Sequence, residues 1–376
     1  MPEILIIAGE ASGDLHAARV ARELVAARTP FELVGIGGDA MQAAGVRLLE
    51  HARRLAALGL VEVVRHVPRH YALLRQLRSR LRRGDVALLV LVDYPGFNMR
   101  VAAAAAAAGV PVLYYITPQV WAWGSARAAR LAHIVTKAAV ILPFEETLLR
   151  AHGVDATFVG HPLLDAAGTL PTRAEARASL GLAAEDRVLA LFPGSRPQEI
   201  ARHLDDFVAT ARALERQLPA LKVIVSAAPT VRIDPARCPF RLARSASFLV
   251  LRAADAALCK SGTTTLEAAV AECPLVVAYR TNPITYAAAR RVLKIRHIGL
   301  VNVVAGREVA PEFVQGALRP DAVARALLPL LDPVAPERAR MLADLRGVRS
   351  ALGTPGASRR VAELAVGLAT RSGRAA

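Results

Sequence analysis

The stretch ILIIAGEASGDLHAARVARELVAA, residues 4–27, decides how the rest of the chain is read. Residues 4–8 are continuously apolar, too few for a helix and without the alternation of a strand that has one wet face. They predict a parallel strand covered on both sides. Residues 15–27 then carry a helical pattern. Between them, Gly9-Glu10-Ala11-Ser12-Gly13-Asp14 supplies two glycines for a tight turn and two natural helix caps, Ser12 and Asp14. The loop is either a capped turn or a ligand loop. It departs from G-x-G-x-x-G, and its paired carboxylates would repel phosphate, so sugar hydroxyls suit it better than a dinucleotide.

The same unit recurs. Short apolar runs at 32–36, 86–92, 111–116, 135–142 and 157–159 alternate with helical segments. After Thr169-Leu170-Pro171-Thr172 the alternation restarts at 187–192, 222–226, 255–259 and 275–279. This predicts an α/β protein of two Rossmann-like, doubly wound parallel-sheet lobes, 1–165 and 166–349. The helical tail, about 350–376, is expected to return to the first lobe. Ligands are expected beyond the carboxyl ends of the strands, in an interlobe cleft.

Composition narrows the partners. With 376 residues, 54% of them apolar and 21% charged, the chain is neither disordered nor a small binding module. Lys+Arg 48 against Asp+Glu 32 gives +16, which favours phosphate, nucleic acid or acidic membrane. Three cysteines, Cys238, Cys259 and Cys273, have neither disulfide nor zinc spacing. The start MPEILIIAGE does not read as a signal peptide, and the apolar stretch 101–116 is broken by Gly109 and Pro111. A cytosolic or peripheral protein is expected.

Candidate chemistry follows the strand ends. Asp93 directly after the 86–92 run is placed as a general base would be, or as a cap ordering the Pro95-Gly96 turn, and Asn98 reads as a helix cap. Pro193-Gly194-Ser195-Arg196 joins free N–H groups to a guanidinium at a helix start, an anion site. Lys260-Ser261-Gly262-Thr263-Thr264-Thr265-Leu266-Glu267 repeats that logic. Either its turn takes a diphosphate while Glu267 accepts ribose hydroxyls, or Thr264 and Glu267 form a capping box. No Walker loop and no D-x-D pair supplies a metal. His161, in Gly160-His161-Pro162, reads as a turn residue. Residues 65–83 hold seven arginines (65, 69, 75, 78, 80, 82, 83) around Val67, Tyr71, Leu74, Leu77 and Leu81 at helical spacing. That pattern fits a membrane-surface helix or a solvated face over a buried stripe.

Taken together, GEASGD (9–14), GLVEVV (59–64), DYPGFN (93–98), TPQVWAW (117–123), LPFE (142–145), GHP (160–162), PGSR (193–196), SGTTTLE (261–267) and NVVAGRE (302–308) resemble the lipid-A-disaccharide synthase family. The resemblance implies a GT-B glycosyltransferase that joins UDP-2,3-diacylglucosamine to 2,3-diacylglucosamine 1-phosphate through a β-1,6 bond, releasing UDP without a metal or other cofactor. It implies Asp93 as the base, with Ser12 and Glu10 beside it. Arg196, Thr264, Glu267 and Asn302 fall on the nucleotide-sugar side, and residues 65–83 on an anionic membrane surface at the inner face of the bacterial inner membrane. Nucleic acid is not an expected partner, and a homodimer is left open. Gly96 stands where the family commonly has a second aspartate, and Lys260 where small residues are more usual. Two alternatives share the architecture: a transferase acting on a lipid-linked peptidoglycan precursor and a UDP-sugar 2-epimerase.

Overall fold

The computed structural model describes the chain except residues 55–59, 124, 169, 229–230, 245–246, 284–285, 288–295 and 374–376. The side chains of 54, 60–69, 122–127 and 372–373 also lie outside the description. The chain divides into two units, Met1–Asp165 with Thr354–Ala376, and Ala166–Gly353.

In the first unit the strands are β1 (Glu3–Ala8), β2 (Glu32–Gly37), β3 (Arg47–His51), β4 (Val86–Val92), β5 (Val112–Tyr115), β6 (Lys137–Val140) and β7 (Ala156–Phe158). They form one parallel sheet in the order β3-β2-β1-β4-β5-β6-β7. The second unit holds β8 (Val188–Phe192), β9 (Lys222–Ser226), β10 (Arg241–Ala243), β11 (Ala256–Lys260), β12 (Leu275–Tyr279) and β13 (Glu312–Val314), all parallel, in the order β10-β9-β8-β11-β12-β13. Both sheets therefore reverse their winding at one place, between β1 and β4 and between β8 and β11. At such switch points the loops diverge and leave room for a ligand.

Every residue of β1 and β4 is buried, because helices cover both faces of the first sheet. On one face lie the helix Ala11–Ala26 and the C-terminal helix Ala357–Gly373, which contributes Val361, Ala365 and Ala369. On the other lie the helices Leu60–Arg82 and Pro95–Ala107. Proline opens the helices Pro95–Ala107, Pro143–Arg150 and Pro197–Glu215, where its missing N–H has no helical partner to lose.

The basic stretch corrects an expectation. Leu74, Leu77 and Leu81 are buried in the core against β1 and β4, so the apolar stripe faces the sheet and not a membrane. Among the described residues of that stripe only Tyr71 is exposed, and the Val67 side chain lies outside the description. Arg75, Arg78, Arg82 and Arg83 are exposed, while Arg80 Nε donates to buried Glu3 Oε2 at 2.8 Å. Arg65 and Arg69 belong to the side chains outside the description.

Candidate functional site

At the first switch point the end of β1 and the end of β4 touch. A Cβ on Gly9 would lie 2.2 Å from the Tyr94 ring, so glycine is what lets Tyr94 lie across β1. Asp93 and Tyr94 both adopt left-handed backbone, φ +49 and +51, which costs of order 1 kcal/mol or more for non-glycine residues. Neighbours fix this conformation. Asp93 N–H donates to the Tyr115 carbonyl at 3.1 Å, and the Asp93 carbonyl accepts Asn98 Nδ2 at 2.6 Å and the Tyr114 hydroxyl at 3.0 Å. Tyr94 Oη meets His70 Nε2 at 3.0 Å. The backbone of Asp93 is thereby clamped and its half-buried carboxylate presented at the strand end. Asn98 is not the cap expected of it: fully buried in the helix, it reaches back to the carbonyls of Val92 and Asp93.

Glu10, the N-cap of the helix Ala11–Ala26, and Ser12, in its first turn, are exposed. Burial, and then the Glu10 charge, push the Tyr94 hydroxyl pKa up, so Glu10 lies within electrostatic reach of the Asp93 turn. Asp14 is displaced from its expected role. It is buried, and its carboxylate accepts the N–H groups of Gly38 (2.7 Å), Ala40 (3.1 Å) and Met41 (3.1 Å), capping the neighbouring helix Asp39–Ala43 and not its own.

At the second switch point the β8 turn contains Gly194 at φ +138, where a Cβ would lie 2.5 Å from that of Glu199. Arg196 is exposed at the N-cap of the helix Pro197–Glu215. In the β11 turn, the Ser261 hydroxyl donates to the Ile298 carbonyl at 2.7 Å, and Thr265 Oγ1 donates to the Gly262 carbonyl at 2.9 Å. Thr263, the N-cap of the helix Thr264–Ala271, is exposed, and Thr264 is half-buried.

No capping box joins Thr264 to Glu267: the cap is Thr263, without a side-chain hydrogen bond. Glu267 Oε2 is instead buried with no hydrogen-bond partner. Burial raises its pKa, opposed by the Ser247 hydroxyl. An acceptor oxygen left this way is a place for a donor from outside the protein. Asn302 has the opposite character. Its Nδ2 donates to the Ala310 carbonyl (2.7 Å) and Glu312 Oε1 (2.8 Å), and its Oδ1 accepts the N–H of Val309 (2.7 Å) and Ala310 (2.9 Å). All four of its hydrogen-bonding positions are used within the protein, so it braces a loop.

His161 is buried. Its Nδ1 accepts the Leu163 N–H at 3.2 Å, and burial lowers its pKa to about 3, as a turn residue held neutral. Sequence reasoning passed over Glu145, buried with its pKa raised to about 7 by burial, which accepts Trp121 Nε1 at 3.1 Å and the Leu142 N–H at 3.1 Å. It ties the 117–123 motif to the 142–145 motif. A cavity of about 570 Å³ lined by Ala106, Val110, His133, Thr136 and Leu368 opens at the amino ends of β5 and β6, the edge opposite the loops described above. Among the described residues no helix is long and apolar enough to cross a membrane.

The lipid-A-disaccharide synthetase family matches residues 4–345. The chain belongs to that family. The lipid-A-disaccharide synthase of Anaeromyxobacter sp. (strain K) is 41% identical over 375 residues, covering 97% of each chain. Two solved structures share the architecture at low identity. The UDP-GlcNAc 2-epimerase from Neisseria meningitidis bound to UDP-GlcNAc superposes with a TM-score of 0.65 at 12% identity, over 96% of this chain and 99% of that one. The calicheamicin glycosyltransferase CalG4 does so with 0.63 at 16% identity, over 99% of both. The fold is GT-B, and fold alone does not separate epimerase from transferase. Family membership does: this is a glycosyltransferase of lipid A disaccharide formation.

Proposed function

We propose that the chain transfers the sugar of UDP-2,3-diacylglucosamine to the 6-hydroxyl of 2,3-diacylglucosamine 1-phosphate, giving the β-1,6 disaccharide 1-phosphate and UDP. The observation that carries this reading is the chemistry of the two switch points: a carboxylate on a clamped backbone at the first, a cationic turn and an orphaned carboxylate oxygen at the second. Asp93 takes the proton of the acceptor hydroxyl as it attacks the anomeric carbon from the face opposite the leaving UDP, so configuration inverts. Glu10 and Ser12 line the acceptor side.

Charge growing on the departing diphosphate is met by Arg196 and the N–H groups of Gly262, Thr263 and Thr264 in the β11 turn, while Ser261 shapes that turn by giving its N–H to the Ala278 carbonyl and its hydroxyl to the Ile298 carbonyl. Glu267 accepts the ribose hydroxyls through its unpartnered oxygen. Asn302 supports this side at one remove, by bracing Ala310 and Glu312. The exposed arginines 75, 78, 82 and 83 approach an anionic bilayer, each contributing roughly 1 kcal/mol near the surface. The enzyme would then work on the cytoplasmic face of the inner membrane.

The test is purified protein with both substrates, followed for UDP and disaccharide in the presence of EDTA. Stoichiometric release of both, at a rate indifferent to the chelator, is expected. UDP-sugar isomerised at C2 without disaccharide would replace this reading with the epimerase one.

A further inference from the structure

Lys260 ends β11, and none of the roles above uses it. Its Nζ donates to Glu199 Oε1 at 2.9 Å, across 61 residues of chain, while Glu199 Oε2 accepts the Ser195 N–H at 2.9 Å. One carboxylate thus occupies an ammonium and a turn N–H that would otherwise face a common anion. The side chains are 20% and 17% exposed, so solvent compensates neither charge well. Burial pushes the Glu199 pKa up, but the Lys260 and Ser195 hydrogen bonds, with the Lys260 and Arg196 charges, outweigh it and hold the group ionised. Glu199 is also fixed from behind. Arg280 N–H donates to His203 Nε2 at 2.9 Å, which leaves the proton on Nδ1 to donate to the Glu199 carbonyl at 2.7 Å. The backbone from which this carboxylate springs is therefore held beside the β8 turn.

We propose that Lys260 is a positioning residue for the donor nucleotide, cancelling the Glu199 carboxylate so that the Pro193–Arg196 turn meets a diphosphate as a net cation. The inference rests on the reading of that turn as the diphosphate site. Removing Lys260 leaves a fixed negative charge beside the incoming one. At an effective dielectric of about 20 and a separation of about 8 Å, that repulsion weakens binding on the order of tenfold or more.

The experiment is calorimetric titration of UDP into the wild type, Lys260→Ala, Lys260→Arg, Glu199→Gln, the Lys260→Ala/Glu199→Gln double variant and Arg196→Ala, with thermal melts of each. Lys260→Ala is expected to weaken UDP about tenfold and to raise the KM for the UDP-sugar more than it lowers kcat. Lys260→Arg keeps the charge and should bind as the wild type does. Adding Glu199→Gln to Lys260→Ala should restore affinity to within about threefold, because the charge that needed cancelling is gone. A double variant as weak as Lys260→Ala, or a Lys260→Ala protein that binds normally, overturns the proposal. If the wild type fails to bind UDP, or Arg196→Ala binds normally, the diphosphate reading of the turn fails instead.

Discussion

At the end of β4 the chain turns through Asp93 and Tyr94, two non-glycine residues in the left-handed region, whereas at the end of β8 the left-handed position is a glycine, Gly194. Both turns sit at the switch point of a sheet wound in the same order. The difference follows from what each must present. A turn that offers its own N–H groups to an anion is best made of glycine, which reaches the conformation without strain. A turn that offers a carboxylate needs a side chain at the strained position, and the strain is then held by other groups, here Asn98, Tyr114 and Tyr115. On the function proposed above, acid–base chemistry belongs to the first edge and anion binding to the second.

Asp93→Asn tests that division most directly. Asparagine tolerates left-handed backbone, so the clamp survives while the base is lost. Turnover should fall by roughly 10²- to 10⁴-fold with UDP affinity unchanged. A folded Asp93→Asn protein with near-normal turnover would end the base assignment.

The next effect separates the two faces of the basic helix. Leu77→Ala should cost about 2–5 kcal/mol of stability, because Leu77 is 2% exposed and packs against the sheet. Arg75→Glu with Arg78→Glu should leave the melting temperature nearly unchanged and reduce sedimentation with anionic vesicles. Vesicle binding lost in Leu77→Ala but kept in the arginine variant would put the membrane contact back on the apolar stripe.

Glu267→Ala probes the second edge from within. Losing the proposed ribose acceptor should weaken UDP by about tenfold, the worth of a hydrogen bond to a charged group. A lower melting temperature at constant UDP affinity would make Glu267 a structural residue.

Much of this was legible in the sequence, and the exceptions share a cause. The long central strands announce themselves through continuous apolar runs, such as Val86–Val92. The strands that escaped notice, Arg47–His51, Arg241–Ala243 and Glu312–Val314, are partly exposed sheet edges with no such run. Local rules likewise assign Asp14 to its own helix and leave Lys260 without a partner. Their actual contacts, to Gly38 and to Glu199, cross 24 and 61 residues and form only once the sheets bring the strand ends together. The leucine spacing at 74, 77 and 81 showed a helix with one apolar face. It could not show that a sheet, and not a bilayer, covers that face.

The smallest expected effect concerns pH and sharpens the contrast, because the buried groups with the largest histidine and carboxyl shifts, His16, His161 and Glu145, all lie in the first unit. Burial, then the Arg19 charge, lowers His16 to about 4, and burial, then the His16 charge, lowers His161 to about 3. Both histidines are neutral in the fold and take up protons on unfolding below about pH 6.5, so their stabilisation is complete above that pH and is lost as pH falls toward 4 and 3. Glu145 runs the other way. Its folded pKa of about 7 exceeds the ordinary 4.5, so unfolding releases its proton and stability declines as pH rises from 4.5 to 7. Between pH 5 and 6 the two histidine protons outweigh the one from Glu145, and stability should rise by about 1.4 kcal/mol per pH unit. Glu145→Gln removes the opposing proton and should roughly double that slope. Both tryptophans, Trp121 and Trp123, belong to the first unit, so indole fluorescence in urea titrations at several pH values follows that unit. An unchanged slope in Glu145→Gln would mean that Glu145 is ionised in the fold, held by the Trp121 and Leu142 N–H donors against its burial.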